Sequence, residues 1–148
     1  MALKLNISDK GRAWKLEKEG EVLMGKSVGD RFEGKELGND FEGYELEITG
    51  GSDIAGFPLS KDVEGIGLRR ILLTKGWGMK DKRKGIRLRK TVRGKTISDK
   101  VVQLNMRVLK YGKKKFEEIF PEQNKSKEQS QARATELKKE ENASIQTV

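Results

Sequence analysis

Three short segments of the chain alternate apolar and polar residues with a period of two. Successive side chains of a β-strand point to opposite faces, so each segment is predicted to be a strand with one buried face. A helix would instead repeat its apolar residues every three to four positions, and no such pattern precedes residue 116. The sequence therefore predicts a mainly β fold. The inward-facing sets are Leu3, Leu5 and Ile7; Tyr44, Leu46 and Ile48; and Leu104, Met106 and Val108.

Further strands are predicted between these segments. Arg12 to Lys18 follows a turn at Asp9-Lys10-Gly11 and is predicted to pair with the first strand as a hairpin, with Trp14 and Leu16 inward. Phe32 is expected to be buried in a short strand. The apolar run from Leu68 to Thr74 predicts a buried strand, and the strand at residues 44–48 is expected to end at Gly50-Gly51.

The predicted architecture is a small closed, barrel-like sheet of six or seven short strands separated by glycine-rich turns. Phe116, Ile119 and Phe120 have the spacing of a single helical turn, which Pro121 ends. Residues 1–121 are predicted to form the folded body. Residues 122–148 carry five basic and five acidic side chains and few large apolar ones, so this tail is expected to be disordered.

Charge is sorted along the chain. Residues 69–95 contain twelve basic side chains and one acidic side chain, Asp81, whereas residues 1–68 contain nine basic and fourteen acidic ones. A dense cluster of cations repels itself unless it binds a polyanion. Nucleic acid is the polyanion that this pattern favours over a merely solvated surface, because Lys and Arg neutralise phosphates and release counterions.

The residues after Gly85 place this charge on a strand. Ile86, Leu88 and Val92 are predicted to face inward, and the cations between them are predicted to face outward. Trp77 lies between two glycines, and two interpretations of it stay open. It could be a core residue, or it could lie at an exposed loop tip where its indole stacks on an unpaired base. All predicted RNA-binding residues lie in this basic segment: Arg69, Arg70, Lys75, Trp77, Lys80, Lys82, Arg83, Lys84, Arg87, Arg89, Lys90, Arg93 and Lys95.

Composition disfavours several other functions. The chain contains no histidine and no cysteine, which removes the commonest general base and the usual zinc ligands, so no catalytic residue, metal or cofactor is predicted. No run of about twenty apolar residues is present to span a membrane, and no signal-peptide core is present. We therefore expect a cytoplasmic protein without a membrane partner.

Two local motifs invite other interpretations. The run GGSDIAG could be a phosphate-binding loop, but it lacks the Gly-Lys-Ser/Thr ending, so close chain approach and tight turns are favoured for its glycines. Glu45 and Glu47 could form a catalytic carboxylate pair. They lie on the outer face of a predicted strand, where nothing raises a pKa, and a solvated face is the better interpretation.

Four blocks of sequence, in the same order, resemble the e-type small-subunit ribosomal protein S6 family (S6e) of archaea and eukaryotes. They are GGSDIAGFPL, LRRILLTKG, RKGIRLRKTVRGKTIS and VVQLNMRVLKYG, and the opening LKLNIS and FEGYELEITGGSD are similar as well. The resemblance implies a structural constituent of the small ribosomal subunit with a barrel-like body and no small-molecule substrate. It also implies partners, namely small-subunit ribosomal RNA and neighbouring ribosomal proteins, with RNA contacts around residues 69–95.

The C-terminus departs from the eukaryotic members of this family. Those members continue into a long basic helix and a phosphorylated serine cluster, whereas this chain ends in a neutral tail without an Arg-Arg-x-x-Ser arrangement. The form looks archaeal, and the regulatory role is not carried over. Two other classes stay open from the residues alone: a free-standing RNA- or DNA-binding module, and a nuclease that uses carboxylate-bound magnesium.

Overall fold

A computed structural model describes residues 2–124 of the chain. The fold is mainly β, as the alternation predicts, with seven strands and one short α-helix among these residues. The strands are β1 (Ala2–Asp9), β2 (Arg12–Glu19), β3 (Arg31–Glu33), β4 (Glu45–Asp53), β5 (Leu68–Leu73), β6 (Leu88–Arg93) and β7 (Val101–Lys110), and the helix is α1 (Phe116–Ile119).

Five strands form one mixed sheet in the order β2-β1-β7-β4-β3. The predicted hairpin of β1 and β2 is confirmed, with Leu5 opposite Leu16. β7 pairs in parallel with β1, placing Leu104 beside Leu5, and it pairs antiparallel with β4. The first and last strands of the described chain therefore lie together at the centre of the sheet.

One face of this sheet carries the hydrophobic core. The predicted inward-facing residues of β1, β4 and β7 are buried, and Val108 of β7 packs partly buried against them. The core is closed by residues from irregular segments and from the C-terminal helix: Leu23, Leu37, Phe41, Leu59, Ile97 and Phe116. Buried apolar area is what stabilises a sheet of this size, and here eight of the eighteen core residues lie outside the strands.

The prediction of a closed barrel is wrong. β2 and β3 form opposite edges of the sheet and do not pair with each other among residues 2–124. After each edge strand the chain turns into short 3-10 helices, at Gly20–Leu23, Gly34–Glu36 and Asn39–Phe41. These segments cover the apolar face of the five-stranded sheet, which in a closed barrel would be covered by further strands.

The predicted C-terminal helical turn is confirmed as α1. Its Phe116 ring stacks on Trp14 with centroids 4.8 Å apart and contacts Tyr44 at 4.7 Å, which seals one end of the core. The side chains of Gln123 and Asn124 donate hydrogen bonds to backbone carbonyls of β2. Most of the predicted tail, residues 125–148, lies outside the described residues, and the boundary at residue 121 stays a prediction.

β4 continues through the two glycines at which it was predicted to end. A register shift occurs between Ile48 and Gly50, and the strand runs on to Asp53. A Cβ atom on Gly51 would lie 2.4 Å from the Gln103 carbonyl oxygen. Only glycine allows this approach, so the interpretation of close chain contact is confirmed at Gly51.

β5 and β6 form a separate antiparallel sheet of two strands. The run at Leu68 was predicted to be a buried strand; it is a strand, but Leu68 and Leu72 are 46% and 58% exposed. A two-stranded ribbon has no neighbouring strands, and few residues of the body pack on it. Apolar composition alone therefore overestimated its burial.

Candidate nucleic-acid interface

We call β5, β6 and the connecting residues 74–87 the basic hairpin. The two strands pair in register from Leu68 opposite Arg93 to Leu73 opposite Leu88. Val92 and Arg93, where β6 joins the body, are buried, whereas most residues towards the connecting loop are exposed. In β6, burial therefore decreases from the base to the loop end, whereas in β5 Leu68 at the base is exposed and Ile71 and Leu73 are partly buried.

Arg93 anchors the base of the hairpin. Its backbone N–H donates to the Pro58 carbonyl at 2.9 Å, and its own carbonyl accepts from the Ser60 N–H at 2.8 Å. Its side-chain Nε donates to Asp53 Oδ2 at 2.8 Å, and Nη1 donates to the Ile66 carbonyl at 3.0 Å. β6 is thereby fastened to the end of β4 and to the segment that leads into β5.

Asp53 is the buried acidic partner in this anchor. Burial by itself raises the pKa of the Asp53 carboxyl. The hydrogen bonds from the Arg93 side chain and the Phe57 backbone N–H lower the pKa and together outweigh burial, so the net pKa lies below the ordinary value. The carboxylate is ionised at neutral pH. A buried ion pair with these additional hydrogen bonds is a structural tie between the sheet and the hairpin.

This anchor corrects two predictions. Arg93 was predicted to be an outward-facing RNA contact, but it is 6% exposed and its guanidinium group binds Asp53. Leu88 was predicted to be buried, but it is 38% exposed because it lies at the loop end of β6, whereas Val92 is 1% exposed as predicted. Lys95 follows β6, is partly buried, and forms an ion pair with Glu64 at 3.3 Å.

The other ten predicted basic residues are all exposed. Arg83 pairs with Asp81 at 2.6 Å, and the hydrogen bond from Arg83 lowers the pKa of the Asp81 carboxyl. The remaining nine have no acidic side chain within ion-pair distance among residues 2–124. They are Arg69, Arg70, Lys75, Lys80, Lys82, Lys84, Arg87, Arg89 and Lys90.

Cations elsewhere in the fold are interspersed with acids. Six of them form ion pairs with carboxylates of the body: Arg12–Glu117, Lys26–Glu36, Arg107–Glu47, Lys110–Glu45, Lys113–Glu42 and Lys114–Asp40. The suggested catalytic carboxylates Glu45 and Glu47 are thus held by basic neighbours. The hydrogen bond from Lys110 lowers the pKa of Glu45, which is opposite to what a general acid requires.

Trp77 lies on the exposed connecting loop, and the interpretation as a core residue is wrong. Its side chain is 53% exposed. It sits in a turn in which the Met79 N–H donates to the Gly76 carbonyl at 3.2 Å. Gly76 and Gly78 have φ angles of 135° and 75°, which side-chain-bearing residues rarely adopt, so the turn that carries the indole favours glycine on both sides of it.

Sequence reasoning missed two features of this site. Asp53 lies in the GGSDIAG run, and nothing local in the sequence marks it as the partner of an arginine forty positions away. The exposed leucines were detectable: in β5, apolar side chains occur on both faces, because Leu68 and Leu72 alternate with Ile71 and Leu73. A ribbon that packs one face on a body leaves the other set exposed.

Within the part of the chain that the structure describes, no helix is long and apolar enough to cross a membrane. Over the same residues no three acidic, histidine or cysteine side chains are grouped so that they could hold a metal ion.

Comparison with known proteins identifies the family. Residues 2–121 match the family model of ribosomal protein S6e. The chain belongs to the S6e family. This family consists of ribosomal structural proteins and not of enzymes, which agrees with the prediction that the chain is not a catalyst.

Several archaeal relatives are similar over most of their length. The chain is 48% identical to small ribosomal subunit protein eS6 of Nanoarchaeum equitans over 129 residues, which cover 85% of this chain and 95% of the relative. It is 46% identical to the protein of the same name from Methanothermobacter thermautotrophicus, and the matched residues cover 81% of this chain and 96% of the relative. It is 44% identical to the protein of the same name from Methanocaldococcus jannaschii, and the matched residues cover 74% of this chain and 82% of the relative. The resemblance to S6e inferred from sequence blocks is confirmed.

Proposed function

We propose that this S6e chain is a structural constituent of the small ribosomal subunit and binds ribosomal RNA through the basic hairpin. The relatives are small-subunit ribosomal proteins by name, which supports a cytoplasmic, ribosome-associated role beside other proteins of that subunit. The observation that carries the RNA-binding part is the set of nine exposed hairpin cations without acidic partners among residues 2–124.

Unpaired cations bind phosphates more readily than paired ones. A lysine or arginine that already contacts a carboxylate must exchange one ion pair for another, whereas a free one releases counterions from the RNA at little cost. The segment of residues 69–95 contains one acid, and that acid is occupied by Arg83. The hairpin therefore offers a continuous cationic surface on a folded ribbon.

The cations occupy both faces of the ribbon. Residues opposite each other in an antiparallel pair share a face, so Arg70 and Arg89 lie on one side, and Arg69 and Lys90 lie on the other. A ribbon charged on both sides is suited to lie between two phosphate backbones. RNA is recognised largely by such shape and backbone contacts, which do not require a base-reading helix.

Chemical footprinting of the full chain on naked small-subunit ribosomal RNA tests this proposal. We expect a defined protected region for the natural chain and its loss for a variant with Lys82, Lys84 and Arg87 replaced by alanine. The matched control replaces three exposed lysines of the body, Lys4, Lys15 and Lys100, so that the net charge change is identical. Equal loss of protection in both triple variants would contradict hairpin-specific binding.

Two further readouts separate the alternatives. A subunit constituent remains with small subunits after a moderate-salt wash, whereas a free-standing RNA- or DNA-binding module dissociates. A nuclease would cleave the RNA when magnesium is added, whereas a structural protein protects it. Retention without cleavage is the expected result.

A further inference from the structure

Exposed apolar side chains are concentrated on the basic hairpin and the residues that lead into it. Nine large hydrophobic residues are exposed in the described fold, and five of them lie between residues 66 and 88: Ile66, Leu68, Leu72, Trp77 and Leu88. Phosphate binding by itself does not require exposed leucine or tryptophan. Such side chains, held among cations, indicate a contact surface for a ligand that has both apolar and anionic parts.

Leu72 illustrates the arrangement. It is 58% exposed and lies directly opposite Arg89 on the antiparallel ribbon. Arg70 is two positions earlier on the same strand and therefore on the same face. An apolar residue thus has two arginines as neighbours on its face of the ribbon, and neither forms an ion pair among the described residues.

Trp77 repeats this combination on the loop. The indole is 53% exposed, and the nearest basic residues in sequence, Lys75 and Lys80, are exposed without acidic partners in the described part of the chain. The turn lies against the preceding strand, since a Cβ on Gly78 would lie 3.1 Å from Leu73 Cδ1. The ring is therefore presented by a packed turn.

We propose that the basic hairpin binds RNA at unpaired nucleotides, with an extruded base stacked on Trp77 and the adjacent cations on the flanking phosphates. This inference rests on the proposed binding of ribosomal RNA by the hairpin. In a continuous RNA duplex the base faces are stacked inside the helix, the major groove is deep and narrow, and the shallow minor groove offers 2′-hydroxyls and base edges only, so an indole finds no base face on which to stack. Bulges and loops expose base faces, and stacking on aromatic rings is tolerant of base identity.

The test compares two RNA hairpins of equal length and charge, one with a fully paired stem and one with an unpaired bulge in the stem. Binding of the full chain to each is measured across several salt concentrations. We expect the natural chain to bind the bulged RNA more tightly, and Trp77→Ala to lose about 5-fold to 150-fold in affinity for that RNA alone. The salt slope should remain unchanged, because no cation is removed. Trp77→Phe should retain most of the preference.

The control variant is Tyr111→Ala, which removes an aromatic side chain of similar exposure, 54%, outside the hairpin. It should leave the preference for the bulged RNA intact. If the natural chain binds both RNAs equally, or if Trp77→Ala weakens both equally, the inference is overturned while RNA binding itself stands. In that case the exposed apolar side chains belong to a contact with a neighbouring protein. Absence of hairpin-dependent binding to either RNA would instead refute the proposed function.

Discussion

Arg93 and Asp53, forty residues apart, form a buried ion pair that joins the basic hairpin to the end of β4 in the five-stranded sheet. The Nε–Oδ2 distance is 2.8 Å, and the exposed fractions of the two side chains are 7% and 0%. A residue of the most basic segment thus serves the fold, while Arg89 and Lys90, earlier on the same strand, remain exposed. Charge on a strand does not by itself indicate a ligand contact.

The first prediction concerns this pair. Arg93→Ala leaves the Asp53 carboxylate buried without its cation, and Asp53→Ala leaves the Arg93 guanidinium buried without its anion. Each substitution should therefore lower the free energy of unfolding by about 3–5 kcal/mol. The double variant should lose less than the sum of the two, because neither unpaired charge remains. Urea unfolding of the three variants measures this coupling. Additive losses would show that the two residues do not act as a pair.

The second prediction concerns acid stability. The folded pKa of Asp53 is lower than its ordinary value of 3.8, so the ionised form contributes stability above that value. This contribution is lost as the pH falls from about 5 through the folded pKa. The difference in free energy of unfolding between the natural chain and Asp53→Asn should therefore decrease as the pH falls. Protonation of Asp53 in the natural chain removes the charge that the asparagine variant lacks at every pH. Urea midpoints measured from neutral to acidic pH test this, and a constant gap would contradict it.

The third prediction compares two adjacent positions of β6. Arg89 is exposed and unpaired among residues 2–124, so Arg89→Ala should keep the melting temperature and reduce the salt slope of RNA binding by about one contact. Leu88 is 38% exposed, so Leu88→Ala should cost well under the 2–5 kcal/mol expected of a buried leucine, on the order of 0.5 kcal/mol. Arg107→Ala, which removes an arginine paired with Glu47 on the main sheet, is the control for the salt slope. An unfolded Arg89→Ala variant would show that this position is structural.

The fourth prediction tests the close approach at the base of the hairpin. A Cβ on Gly94 would lie 2.0 Å from the Gly65 carbonyl oxygen, so Gly94→Ala forces the two backbones apart and should cost about 1–3 kcal/mol or more. Gly67 is the matched control, because its carbonyl accepts the Gly94 N–H at 3.0 Å and a Cβ there would meet nothing within 4 Å. Thermal melting should separate the two variants. Equal melting temperatures would mean that the segments can move apart freely.

Several elements could be predicted because their signal is local. The alternation at Leu3, Leu5 and Ile7 identifies a strand and its buried face, and the turn after Asp9 identifies its hairpin partner. The spacing of Phe116, Ile119 and Phe120 identifies the helical turn. These patterns follow from backbone geometry, which repeats over a few residues regardless of what packs on it.

The sequence by itself determined the mainly β fold, the position of the basic segment and, through the matched blocks, the family. Only the tertiary structure decided that the sheet stays open, that Arg93 is buried and that Leu88 and Leu72 are exposed. Closure depends on which segments cover the sheet edges, and burial depends on which distant segments pack on a strand. At the base of the hairpin those segments are Asp53 and Pro58, which accept hydrogen bonds from the Arg93 side chain and backbone N–H, respectively. The period of a strand reports which residues share a face, but only the packed neighbours decide how much of that face remains in contact with water.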